Sequence, residues 1–261
     1  MPAINPEKLA REIKEIQQAV ENPSTLRWRI VNLFEFYSDR TRRSQSSLKL
    51  GHADKRYGIP HPVVDALERG LKQTLSDNRE MTSSIASDLW EVDYREVRYL
   101  AITLLEELSF KEILQQVELW VVDSDDLELV KKLAKTLVTS WKEDDFKDFS
   151  STLKGWLQSN SIRRQVFALI VFQSVVQDSD FSDLPLVFNL LRTHNIPANS
   201  ALKRPFHDLL KTLIERSQPE TARFLLDVLE KEPSLGSRLI RSVLEYFPTD
   251  QQARLKRALS T

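Results

Sequence analysis

Apolar residues recur three and four positions apart along almost the whole chain, the spacing that lays them on one side of a helix. Ile4, Leu9, Ile13, Ile16 and Val20 form the first such stripe. Asn5 and Asn22 are of the type that caps helix starts, and Pro6 and Pro23 stand where a first helical turn tolerates proline. Residues 26–50 read as a second long helix, or as one with a break near Ser44. The stretch 52–62, which holds Gly58, Pro60 and Pro62, is the clearest loop. Pro62 then opens a helix carrying Val63, Leu67, Leu71 and Leu75.

From residue 81 the pattern becomes regular. Segments 81–90 and 94–108 pair, as do 110–122 with 126–140, 145–158 with 161–176, 184–194 with 199–215, and 219–231 with 233–247; 251–259 is a short last helix. The second members open near 94, 126, 161, 199 and 234, so one pair follows another every 32 to 38 residues. That period marks a two-helix repeat of the HEAT or armadillo kind. Strand signals are scarce: Val121-Val122 and 168–171 are apolar, but their lengths and flanks suit buried helix. The expected fold is all-α, a right-handed superhelix of HEAT-like helical hairpin repeats (an α-α solenoid). It forms one domain over 1–261, with 1–50 a less regular N-terminal helical part. A non-repeating helical domain is the alternative. Stacked hairpins bend into an array with a concave surface suited to an extended partner.

Composition narrows the chemistry. None of the 261 residues is cysteine, which excludes a disulfide scaffold, thiolate metal sites and a cysteine nucleophile. Only 5 are glycine, too few for Gly-rich cofactor loops. No apolar run approaches the roughly 20 residues needed to span a bilayer. Glu7, Lys8, Arg11 and Glu12 interrupt any leader-like segment. The expectation is a cytoplasmic protein without membrane contact.

The net charge of -1 is uneven. Residues 1–90 sum to +2, 91–150 to -7 and 151–261 to +4. The most basic stretch, 26–56, holds Arg27, Arg29, Arg40, Arg42, Arg43, Lys49, Lys55 and Arg56 against Glu35, Asp39 and Asp54. It offers a footprint for a polyanion or, more plainly, a solvated helix face and a basic loop. The acidic middle speaks against a continuous phosphate track.

His52, His61, His194 and His207 are scattered, with no metal-ligand spacing, so neither metal nor cofactor is expected. Carboxylate runs at 123–128 and 143–145 sit near helix starts, where they offset the dipole. Ser124 or Asp125 is the candidate cap for the helix near Asp126, with Glu128 close to the capping-box position. The tryptophans Trp28, Trp90, Trp120, Trp141 and Trp156 suit core or ridge packing, or stacking on a ligand. Trp90, Tyr94 and Tyr99 form an aromatic group; Tyr94 and Arg98, four apart, share a helix face, with Arg95 beside them. Trp156, Arg163 and Arg164 form a second group. Arginines there either grip phosphate or pair with nearby carboxylates.

Three segments carry a resemblance. They are Lys55-Arg56-Tyr57-Gly58-Ile59-Pro60-His61-Pro62; the run from Ala86 through Leu89-Trp90, Tyr94 and Arg98 to Leu105; and Trp156 to Ile162 with Phe167 to Ile170. Together the chain resembles the HEAT-like DNA alkylation repair family, the alkylpurine DNA glycosylases built of helical repeats, over roughly 55–230. The resemblance implies a concave basic surface that holds duplex DNA. It also implies an aspartate four residues after a tryptophan, in a Trp-Asp-x-x-Asp segment, that assists loss of a cationic base. Here Trp120 is followed by Val121, and Ser124 stands four residues on; Asp123 is one place early and Asp125 one place late. No residue is therefore assigned a catalytic role.

Three functional readings follow. The first is a double-stranded DNA-binding relative without base excision. The second is a helical scaffold that takes a protein partner in its groove. The third is an active glycosylase, hydrolysing N-glycosyl bonds, with altered residues. The residues expected to touch nucleic acid are Arg27, Arg42, Arg43, Lys55, Arg56, Trp90, Tyr94, Arg95, Arg98, Arg163 and Arg164.

Overall fold

Short polar caps and prolines set where the helices begin. The Asn5 side chain accepts from the amides of Glu7 and Lys8, and α1 (Pro6–Gln18) opens on Pro6. Asn22 accepts from Thr25, and α2 (Pro23–Tyr37) opens on Pro23. In this computed structural model the described residues are 4–38, 55–124, 126–141, 146–193 and 200–260. The helix expected over 26–50 ends at Tyr37, ahead of the break considered near Ser44. Ser38 is extended there and its hydroxyl donates to the Glu35 carbonyl at 2.8 Å, giving the backbone an alternative to another helical turn.

The first unit, Met1–Ser140, continues with α3 (His61–Leu75), α4 (Arg79–Trp90), α5 (Arg95–Leu105), α6 (Phe110–Trp120) and α7 (Leu127–Ser140). Asn78 caps α4, and the Glu112 carboxylate reaches back to the Ser109 amide at 2.8 Å to cap α6. The α7 start differs from expectation. Asp126, not Ser124, accepts from the Glu128 amide at 2.9 Å, while Ser124 Oγ accepts from the amide of Asp126 at 3.3 Å. Asp125, the other expected cap, lies outside the described residues.

The second unit, Trp141–Thr261, holds α8 (Phe146–Leu157), α9 (Ile162–Gln177), α10 (Leu184–Thr193), α11 (Ser200–Arg216), α12 (Gln218–Lys231), α13 (Pro233–Val243) and α14 (Thr249–Ala258). The helix expected over 233–247 stops at Val243 and tightens to a 3-10 turn, Leu244–Tyr246. Among the described residues there are 14 α-helices and no strand, so the protein is all-α, as expected of a helical repeat.

Each unit builds its core by pairing and stacking. In the first, α4 packs on α5 and α6 on α7, while α3, α5 and α7 contact in sequence as one row. In the second, α8 packs on α9 and α12 on α13, and α9, α11 and α13 form the row. Row helices are buried on most sides: Val97 and Leu100 through Leu105 in α5, and Phe167 through Phe172 in α9. Burying each large aliphatic side chain contributes roughly 1.5–3 kcal/mol before chain entropy is charged against it. No helix among the described residues is long and apolar enough to cross a membrane.

Candidate functional site

A positive φ at Gly58, 69°, turns the chain after Tyr57, a conformation that costs glycine little. The Glu96 carboxylate holds this turn by accepting from the amides of Tyr57 at 3.0 Å and Gly58 at 2.7 Å. The Arg95 amide donates to the Lys55 carbonyl at 2.9 Å. The loop is thereby tied to the first turn of α5. It seats the buried Tyr57 ring on Tyr94, stacked at 4.0 Å, with Phe34 against its edge at 5.9 Å.

Next to it, Trp90 ends α4 and Trp120 ends α6. Their rings stack with centroids 4.4 Å apart and planes 1° from parallel, and both are buried. A short motif follows each: Trp90-Glu91-Val92-Asp93 and Trp120-Val121-Val122-Asp123. The indole Nε1 of Trp90 donates to Asp123 Oδ2 at 3.0 Å. Arg98 closes the group. Its Nε donates to the Trp90 carbonyl at 3.0 Å, its guanidinium sits 4.9 Å from the Trp90 ring, and a terminal nitrogen lies 3.3 Å from Asp123 Oδ2. Arg98 also approaches Asp93 at 3.8 Å, and Asp93 takes Lys55 at 2.9 Å. The ammonium of Lys55 hydrogen-bonds Asp93 and holds its carboxyl below the ordinary range.

Arg95 bonds Asp126 at 2.5 Å, with both side chains mostly buried. The sequence-expected cations Lys55, Arg95 and Arg98 thus gather in one cluster with Trp90 and Tyr94, each engaged with a carboxylate of this unit. Arg56 is half-buried nearby in the chain, and Arg27 is exposed on α2. Arg163 (exposed) and Arg164 (half-buried) lie in the first turn of α9, in the second unit. Arg42 and Arg43 lie outside the described residues. Trp156 is buried against Phe167. Trp28 is 63% exposed on α2, so of the readings open to it core packing does not hold.

Asp93 and Asp126 are not evident from neighbouring positions in the sequence as partners of these cations, nor is Glu96 as the acceptor at the Tyr57–Gly58 turn. A signal existed, because polar contacts join residues about one repeat apart: Trp90 and Asp123 are 33 apart, Arg95 and Asp126 31, Lys72 and Glu106 34, and Arg192 and Asp227 35. A search for opposite charges at the repeat period would have found them.

Chemically, the cluster presents two exposed carboxylates, Asp93 and Asp123, of which Asp123 lies beside the buried indole pair and the guanidinium. Ser124, four residues after Trp120, is 4% exposed. Among the described residues no group of three or more histidines, aspartates or glutamates is placed to hold a metal ion.

No curated protein and no solved structure matches the chain. The model of the DNA alkylation repair enzyme family matches residues 32–197, which include the Tyr57–Gly58 turn, the tryptophan pair and the Arg98–Asp123 contact. Since that match covers well over half of its length, the chain belongs to the DNA alkylation repair enzyme family.

Proposed function

We propose that this protein is a cytoplasmic, double-stranded DNA-binding member of the family that has lost base excision, the helix pairs of each unit stacking as right-handed HEAT-like repeats. The observation that carries the reading is the engagement of Asp123. Loss of a cationic purine builds positive charge on the sugar, and a carboxylate facing that charge lowers the barrier. Asp123 Oδ2 instead accepts the Trp90 indole and faces Arg98, whose charge offsets its own. The repeated Trp-x-Val-Asp turn supports a structural role, since Asp93 engages cations in the same way one repeat earlier. Ser124 has neither charge nor exposure.

Binding needs different groups. Exposed Arg27 and the basic stretch 26–56 are the phosphate-gripping candidates, and the surface pair of Lys55 with Asp93 is weak enough for a phosphate to replace it. One observation favours a second reading, an active enzyme with altered residues. The Asp123 side chain is 56% exposed, and its Oδ1 makes no hydrogen bond among the described residues.

The deciding experiment titrates plain and N-alkylated duplex DNA at two salt concentrations and then assays released base. Salt-dependent binding without release is expected. Release that disappears in Asp123→Asn establishes the enzyme instead. If neither duplex binds, the helical array serves a protein partner.

A further inference from the structure

A cavity of about 480 Å³ opens in the second unit between α9, α11 and α13. Its floor is apolar: Leu169 from α9, Leu202 and Phe206 from α11, Leu235 and Leu239 from α13. On α13 the lining residues 235, 238, 239 and 242 follow the spacing of a single helical face. That face looks across the cavity at the corresponding face of α11. Around the far side of α13, Gly236 lets the helix lie directly on α12, where a Cβ would meet the Leu229 Cα at 2.3 Å. The α13 helix is therefore fixed against α12 while its other apolar stripe remains open.

The rim is cationic. Lys203 and Arg204 stand on α11 and Arg238 on α13, all exposed. None of the three has an ion-pair partner among the described residues, whereas Lys55, Lys72, Arg95, Arg98, Lys132 and Arg192 are all matched to carboxylates. His207 joins the two helices, its Nε2 3.1 Å from the Ser242 carbonyl. Asp208, the next residue on α11, faces His207 Nδ1 at 3.6 Å, and no carboxylate among the described residues lines the cavity. Unmatched like charges around an apolar hollow repel one another, and an anion seated among them relieves that repulsion.

We infer that this cavity binds a small amphiphilic anion, a long-chain carboxylate, with its hydrocarbon chain against Leu169, Phe206 and Leu239 and its head between Lys203, Arg204 and Arg238. The volume falls in the range of about 300–1,000 Å³ typical of small-ligand sites. A docked helix needs a far longer groove, of the order of 800 Å² per partner. A bare phosphate would leave the apolar floor wet. The α11 and α13 residues lie beyond the segment matched by the family, and the inference does not depend on DNA binding.

The test is calorimetric titration of the full chain with dodecanoate below its micelle concentration, with dodecanol, dodecyltrimethylammonium and acetate as controls. One saturable site for dodecanoate is expected. Each of Lys203→Glu and Arg238→Glu should weaken it about tenfold, as should replacing the carboxylate by a hydroxyl. Leu239→Trp, which fills the floor, should abolish it. Lys203→Gln and Arg238→Gln provide milder charge removal, and thermal melts report whether every variant is folded. The inference fails if no saturable site exists, if the uncharged or cationic amphiphile binds equally well, or if Leu239→Trp leaves binding intact. It also fails if the charge reversals weaken duplex DNA binding while dodecanoate does not bind, because the cations then serve phosphates.

Discussion

The indole nitrogen of Trp90 and the carboxylate of Asp123 meet at 3.0 Å across one repeat, joining the end of one hairpin's first helix to the turn of the next. Trp90 is 2% exposed, so its N–H depends on this acceptor. Removing the acceptor in Asp123→Ala orphans that donor and should cost about 1–2 kcal/mol in urea unfolding, with a shift in tryptophan emission. Asp123→Asn keeps an acceptor and loses only the charge toward Arg98, so it should cost less than half as much. Released base should be undetectable in wild type and in both variants.

Arg95 and Asp126 form a better shielded pair, at 19% and 8% side-chain exposure. Asp126 Oδ2 is buried without a hydrogen bond among the described residues, so the carboxylate leans on its other oxygen, which serves both Arg95 and the Glu128 amide. Arg95→Ala strands this charge and should destabilise by about 3 kcal/mol. Asp126→Ala loses the α7 cap as well, roughly a further 1 kcal/mol. The double variant should be more stable than the sum of the singles implies, by at least about 1 kcal/mol in a denaturation cycle. Additivity would mean that the pair is incidental.

Many of the helix starts were legible because the chain marks them with local signals. Asn5-Pro6, Asn22-Pro23 and Pro62 announce starts, and the stripes that follow keep a helical period. The end of α2 at Tyr37 was less legible, since Ser38 stops it by a local hydroxyl contact rather than by glycine or proline. The site was half legible. Trp90, Tyr94, Arg95 and Arg98 do come together, yet the carboxylates that take Arg95, Arg98 and Lys55 lie in other turns and were invisible to a reading of neighbours along one helix. Trp28 shows the converse limit: a tryptophan on a helix carries no mark of which face it takes.

Glu96 and Gly58 define the loop that seats Tyr57. Gly58→Ala puts a Cβ on a backbone with φ of 69° and should cost about 1 kcal/mol. Glu96→Gln should cost about 1–2 kcal/mol, because a carboxamide offers one acceptor to two amides and turns its own N–H groups toward the second. Both should raise the rate of proteolysis within 55–60. Equal protection in wild type and Glu96→Gln would remove Glu96 from this role.

Two glutamates should respond to acid with opposite signs. Burial pushes the Glu106 carboxyl up, but hydrogen bonds from Lys132 at 2.5 Å and Lys72 at 2.6 Å outweigh it and hold it below the ordinary value. Its contribution is therefore complete above the unfolded carboxyl range and is lost as pH falls through the lowered folded value. Glu68, near the same lysines, is pushed up, chiefly by burial. Its folded state favours the protonated form, so its contribution is present below the unfolded range and is lost as pH rises through the raised folded value. Glu106→Gln should thus lower stability by about 1 kcal/mol at neutral pH, with the difference vanishing in acid. Glu68→Gln should raise stability at neutral pH and leave it unchanged in acid. Urea midpoints measured from neutral to acid pH for the wild type and both variants check this, and curves that shift in the same direction would refute the assignment of burial to one carboxylate and pairing to the other.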